Sequence, residues 1–170
     1  MEALLKMSPA ERRLACIQVD ERMRLQAASV EKDFWVCWTL RELFTLPGIG
    51  PHLTFKGGTS LSKAWKLIER FSEDIDLVVD KQTLGFGGDA SPDHAPSKKQ
   101  RKLRLEALMD ACRRWVQETL QPALAARIGA ALGPDGWKLE VLRPKLQLTV
   151  RSDGIQFLPK VLYEDFSVSF

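Results

Sequence analysis

The stretch from Phe55 to Val79, FKGGTSLSKAWKLIERFSEDIDLVV, decides how the rest of the chain is read. His52 to Phe55 is a short strand candidate that runs into Gly57-Gly58. Thr59 to Glu69 reads as the helix that follows. Ile75 to Val79 is rich in β-branched residues and reads as a second strand. On a strand, residues two apart share a face, so Asp74 and Asp76 project together while Ile75, Leu77 and Val79 face the other way. Two carboxylates held side by side need a proton, a basic group or a cation between them. Hard oxygen ligands of this kind suit Mg²⁺ shared with substrate phosphates. Gly57 and Gly58 would let a backbone approach closely, and free N–H groups opening the Thr59 helix favour a phosphate there. Thr59 and Ser60 add hydroxyls, while Lys56 and Lys63 add cations that could screen a triphosphate. Taken singly, a glycine pair is most often a tight turn and Asp-x-Asp most often solvated charge. Their joint order, about one helix apart, points to nucleoside triphosphate and metal.

Working outward, Ser8-Pro9-Ala10-Glu11 is a capping box that predicts a helix from Pro9 to about Leu25. A second, buried helix fits Val30 to Phe44, with Val30, Phe34, Cys37, Trp38, Arg41 and Phe44 at helical spacing, stopped by Leu46-Pro47-Gly48. Residues 81–96 carry Gly85, Gly87, Gly88, Pro92 and Pro96, the composition of a loop or mobile lid. Ser97 can cap a long helix from Lys98 to about Leu120, with Leu103, Ala107, Met109, Ala111, Val116 and Leu120 available to its buried side. Pro122 is placed to kink or restart it, and a short helix ends at Gly133-Pro134. Leu139 and Val141, then Leu146, Leu148 and Val150, alternate with polar residues and predict two strands. Ser152-Asp153-Gly154 is a turn, and Ile155 to Phe170 offers one or two more strands broken at Pro159. The order indicates an α+β (α/β) domain, a mixed β-sheet packed with helices. One domain is expected over 1–170, with N-terminal helices in 1–50, the strand-turn-helix-strand in 51–80, a basic helical region in 98–131 and C-terminal strands in 137–170.

The chain has 170 residues, 45% hydrophobic and 28% charged, which excludes disorder and needs no metal or disulfide to hold a core. Three cysteines, Cys16, Cys37 and Cys112, lie far apart outside any CxxC pair, as expected of free thiols in a cytoplasmic protein. No run approaches the ~20 apolar residues that span a bilayer, and MEALLKMSPAERR lacks the core of a secretory signal. GGTSLSK lacks the second glycine of a Walker A loop. His52 and His94 are the only histidines, so HExxH and a serine triad on a GxSxG elbow both fail.

Gly57-Gly58-Thr59-Ser60-Leu61 followed by Arg70-x-Ser72-x-Asp74-Ile75-Asp76 resembles the GG[TS]xL…RxSxDxD signature of the AbiEii-type toxins, in the polymerase-β-like nucleotidyltransferase superfamily. Glu31-Lys32-Asp33-Phe34-Trp35-Val36 is similar to the segment that precedes it there. The resemblance implies a polymerase-β-like nucleotidyltransferase core, Mg²⁺ on Asp74 and Asp76, and a triphosphate on the glycine turn with Arg70 and Ser72 nearby. It also implies a third carboxylate from a later strand. Pro159-Lys160-Val161-Leu162-Tyr163-Glu164 resembles the P-x-V-x-L-E strand of relatives, which makes Glu164 that candidate. Relatives continue as E-F-G-x-R and into a C-terminal helical region, whereas here Asp165-Phe166-Ser167-Val168-Ser169 follows and the sequence ends at Phe170. The implied activity is transfer of a nucleoside monophosphate from an NTP to an RNA such as tRNA or to a protein hydroxyl, under control of an antitoxin protein. The competing expectation is a non-catalytic nucleotide-sensing or partner-binding module that keeps only part of the fold.

Charge adds one further expectation. The net charge of the whole chain is +3. Lys98, Lys99, Arg101, Lys102, Arg104, Arg113 and Arg114 crowd one helix against Glu106 and Asp110 alone. Such a helix could bind an RNA backbone by counterion release, with Lys98, Lys99, Arg101, Lys102 and Arg104 as its contacts. The competing reading is a solvated helix face.

Overall fold

Ser8 opens the first long helix as its capping box predicts. Its Oγ accepts from the Glu11 N–H at 3.3 Å, and Glu11 returns a carboxylate oxygen to the Ser8 N–H at 2.7 Å. The Ser8 hydrogen bonds hold the Glu11 carboxyl below its usual range. A computed structural model of the chain describes residues 1–23, 26–58, 60, 74–142, 145–152, 155–157 and 160–162, with backbone alone for 20, 21, 23, 74 and 141–162. Its helices are α1 (Glu2–Leu5), α2 (Pro9–Met23), α3 (Ala27–Phe44), α4 (Lys98–Trp115) and α5 (Gln121–Leu132). Its strands are β1 (Leu53–Lys56), β2 (Asp74–Val79), β3 (Trp137–Leu142), β4 (Lys145–Ser152), β5 (Ile155–Phe157) and β6 (Lys160–Leu162). The chain is therefore α+β. No helix among the described residues is long and apolar enough to cross a membrane.

The strands form one mixed sheet in the order β1-β2-β6-β4-β3, with β5 on β4. Among the described strands only β2 and β6 run parallel, Asp74 beside Lys160 and Asp76 beside Leu162. β4 and β5 pair antiparallel with Ser152 opposite Ile155; the expected Asp153-Gly154 turn lies outside the described residues. On the inner face Leu53, Ile75, Leu77 and Val79 are buried. They meet Trp35, Val36, Trp38 and Leu43 of α3, and Leu124 and Ile128 of α5, in one core.

Three helical expectations are corrected. In α3 the buried residues are Glu31, Trp35, Val36, Trp38, Thr39, Glu42 and Leu43, whereas Phe44 is exposed. Apolar residues occur on all sides of α3, so their spacing leaves its rotation open and packing against α2 and the sheet sets it. Along α4 and the turn that follows it the buried stripe is Leu108, Cys112, Val116 and Leu120, four residues apart, while Leu103 and Met109 face solvent. Leu120 does not end an α-helix: residues Val116–Leu120 form a π turn before α5 restarts. Pro122 is the reason, since it has no N–H to give and its ring crowds the carbonyl four residues back.

Residues 81–96, expected as a loop or mobile lid, form a loop tied down by side-chain bonds. It leaves the end of β2 opposite Asp74 and folds into two short 3₁₀ turns, Gly88–Ala90 and Pro92–His94. Lys81 binds Asp93 at 2.5 Å and the Ser91 hydroxyl at 3.1 Å. Hydrogen bonds from Lys81 and Ser91 hold the Asp93 carboxyl below its usual range. Arg104 of α4 donates to the Asp89 and Ser91 carbonyls at 2.6 and 2.9 Å. Ser91 and Pro92 are buried in this knot.

Candidate active site

Of the predicted site residues, Lys56, Gly57, Asp74 and Asp76 meet where β1 ends and β2 begins. Antiparallel pairing sets Lys56 directly opposite Asp76 and Phe55 opposite Leu77. Directly opposed residues share a face, so Lys56 lies on the side of Asp76 while Phe55 joins the core. Asp74 sits two residues before Asp76 on the same strand, so the pleat gives both the same face. The register of β6 puts Lys160 and Leu162 beside them.

Gly57 ties the turn to the carboxylate. Its φ is +75°, and a Cβ placed there would lie 1.8 Å from Asp76 Oδ2 and 2.6 Å from its Cγ. No side chain fits, so the backbone itself walls one side of the Asp76 carboxylate. Gly58 differs from the expectation of close approach at both glycines: its φ is not positive and a Cβ there would meet open space. The chain is helical at residues 57, 58 and 60. Ser60 is buried and donates from its hydroxyl to the Phe55 carbonyl at 3.3 Å. That bond pins the turn to β1.

Thr59, Lys63, Arg70, Ser72 and Glu164 lie outside the described residues. Among the described residues no group of three His, Cys, Asp or Glu side chains could hold a metal ion; Asp76 is the described carboxylate of the expected set. Its hard oxygens, with backbone packed in place of a side chain on one flank, suit a small oxygen-seeking cation.

In the basic helix, Ser97 caps α4 by accepting from the Gln100 N–H at 3.2 Å. Lys98, Lys99 and Lys102 are exposed. Arg104 is committed to two loop carbonyls, so it acts first as a structural residue. The Nε of Arg101 is buried without a hydrogen-bond partner. In the Glu31-Lys32-Asp33-Phe34 segment, Glu31 is only 1% exposed and its Oε1 has no hydrogen-bond partner. Burial beside Glu31 pushes the Cys16 thiol up, with Arg12 opposing.

Sequence reasoning missed one group altogether, an ionic cluster at the far end of α3. Glu42 is 4% exposed. It accepts from Arg41 Nη2 at 2.7 Å on one oxygen and from Arg127 Nε at 2.8 Å on the other. Burial pushes its carboxyl up, but the bonds from Arg127 and Arg41 outweigh this and hold it below its usual range. Arg127 is 85 residues away in sequence, so no local pattern signals the pair.

No curated protein and no solved structure matches the chain significantly. A family match runs over residues 38–162, from the middle of α3 to the end of β6, and so takes in β1, the glycine turn and β2. It starts after the Glu31–Val36 segment and reaches far beyond the signature itself. The chain belongs to this family, AbiEii, described as nucleotidyl transferase AbiEii toxin of type IV toxin-antitoxin systems.

Proposed function

We propose that the chain is a Mg²⁺-dependent nucleotidyltransferase that passes a nucleoside monophosphate from an NTP to an acceptor hydroxyl, with pyrophosphate leaving. The observation that carries this reading is the contact of the Gly57 backbone with the Asp76 carboxylate. It brings the glycine turn and the acidic strand to one place, inside the span that matches the family. In this reading Asp74 and Asp76 hold the metal, with Glu164, two residues past Leu162 of β6, as third ligand. When bound, Mg²⁺ would draw charge from the phosphate oxygens and favour in-line displacement. Gly57, Gly58 and the amides opening the following helix receive the triphosphate, assisted by Thr59, Ser60, Arg70 and Ser72. Lys56, beside Asp76 in the register, and Lys63 supply positive charge. The acceptor is an RNA such as tRNA or a protein hydroxyl, the basic stretch from Lys98 to Lys102 is the RNA contact, and an antitoxin is the regulatory partner.

The test is incubation with each radiolabelled NTP, Mg²⁺ and total RNA. The expected result is label on RNA or protein, lost on omission of Mg²⁺ and in Asp74→Asn/Asp76→Asn. That double variant should fold as well as the parent, because removing neighbouring like charges relieves repulsion. Metal-dependent NTP binding with no transfer to any acceptor would instead support the nucleotide-sensing module.

A further inference from the structure

The Glu42 cluster opens into a cleft of about 380 Å³, between α1 and the contact of α3 with α5. Lys6, Arg41 and Arg127 bring three cations to it, Glu2 and Glu42 two carboxylates, and Leu5 and Ala130 an apolar side. It shares no residue with the Gly57 and Asp76 site.

The geometry of Glu42 gives the cleft its chemistry. One buried carboxylate holds two guanidinium groups: Arg41 spends Nε and Nη2 on Oε1, and Arg127 spends Nε on Oε2. Arg127 Nη2 reaches the Thr45 hydroxyl at 3.5 Å. Neither arginine uses Nη1 in a hydrogen bond to another described residue. Both side chains remain partly exposed, 39% and 45%, although the carboxylate that orients them is buried. Two like charges are thus fixed beside each other with one counter-charge between them and donors left over. Holding them in place before a ligand arrives removes part of the ordering cost of binding.

We propose that this cleft binds a phosphate group carried on a small molecule, with Arg41, Arg127 and Lys6 donating to its oxygens and Leu5 and Ala130 touching the organic part. A phosphomonoester offers three acceptor oxygens and close to two negative charges, which matches two forked donors plus an ammonium better than a carboxylate does.

Calorimetric titration of the full chain without Mg²⁺, at constant ionic strength, tests this with phenyl phosphate, inorganic phosphate and acetate. Phenyl phosphate should bind one to one and more tightly than inorganic phosphate, with acetate at least tenfold weaker. Losing a charged hydrogen bond should cost roughly tenfold or more in affinity, so Lys6→Ala should weaken binding about tenfold and Arg127→Gln should remove it. Asp76→Asn should bind as the parent does. No binding, acetate binding as well as phenyl phosphate, or equal binding by parent and Lys6→Ala would overturn the proposal. So would loss of binding in Asp76→Asn, which would move the ligand to the other site. If Arg127→Gln does not fold, Lys6→Ala decides alone, because Lys6 bonds to neither arginine and its loss leaves Glu42 paired.

Discussion

Gly57→Ala and Gly58→Ala make a matched pair that separates geometry from composition. At residue 57 the φ of +75° places an L side chain in the left-handed region, which costs about 1–2 kcal/mol. The new Cβ would also lie 1.8 Å from Asp76 Oδ2, where atoms of this kind settle at roughly 3.5 Å. The carboxylate must therefore retreat by more than 1 Å or the turn must open. Displacements of that size in a reacting site cost on the order of 100-fold in rate. At residue 58 a Cβ meets nothing within 4 Å and the backbone is not left-handed. The same substitution there should change stability by less than about 1 kcal/mol, in the stabilising direction because alanine favours a helix over glycine. Denaturant unfolding gives the first quantity and label transfer from NTP the second. Gly57→Ala should lose about 1–2 kcal/mol and most activity, and Gly58→Ala should lose no stability and less activity. If the two variants unfold alike and transfer alike, the turn does not seat Asp76 and the reasoning fails.

Glu42 should govern part of the response to acid. Its folded pKa is depressed below the ordinary 4.5, so its stabilisation is present above that pH and lost as pH falls through the folded value. Glu42→Gln should then destabilise by about 1–3 kcal/mol at neutral pH, and the gap to the parent should shrink below pH 4.5 in a pH series of urea melts; a pH-independent gap would contradict this. Arg104→Gln removes both bonds to the loop carbonyls, so it should cost about 1–3 kcal/mol and expose residues 81–96 to limited proteolysis, with an unaltered cleavage rate as the contrary result. Reversing Lys98, Lys99, Arg101 and Lys102 to glutamate should weaken RNA binding across sequences, each lost phosphate contact taking ~0.7 to 0.9 from the slope of log affinity on log salt. NTP binding should survive, and equal slopes for variant and parent would mean that the charge is solvated surface.

What could be read in advance follows from how local each signal is. Ser8, Ser97 and Gly133 sit at helix ends whose unpaired N–H and C=O groups need those residues, so the ends of α2, α4 and α5 fall close to expectation. The alternation that marks β3 and β4 is equally local. Rotation of a helix is not local: Leu103 and Met109 are as apolar as Leu108 and Cys112, and only packing against the rest of the fold chooses between the two stripes. The same holds for Gly57 against Gly58, where the Asp76 carboxylate across the β1–β2 pairing decides which glycine is indispensable. Glycine and proline density made residues 81–96 resemble a lid. The bonds that order them come from Lys81 and Arg104, outside the composition that raised the expectation.

The two ends of β2 therefore carry different work. A strand rises about 3.3 Å per residue, so Val79 stands roughly 17 Å from Asp74. Lys81 and Arg104 meet at the Val79 end through Ser91 and its loop. That anchors the N-terminal half of α4, with Lys98, Lys99 and Lys102, away from the glycine turn. In the proposed reading a triphosphate at Gly57 would lie about one strand's length from those contacts. If that helix holds an RNA backbone, the acceptor must reach the length of β2, and one of only one or two nucleotides would not engage both ends. Acceptors too short to span that distance should then transfer equally well with the parent and with the glutamate-reversed helix, while long acceptors should separate them through KM.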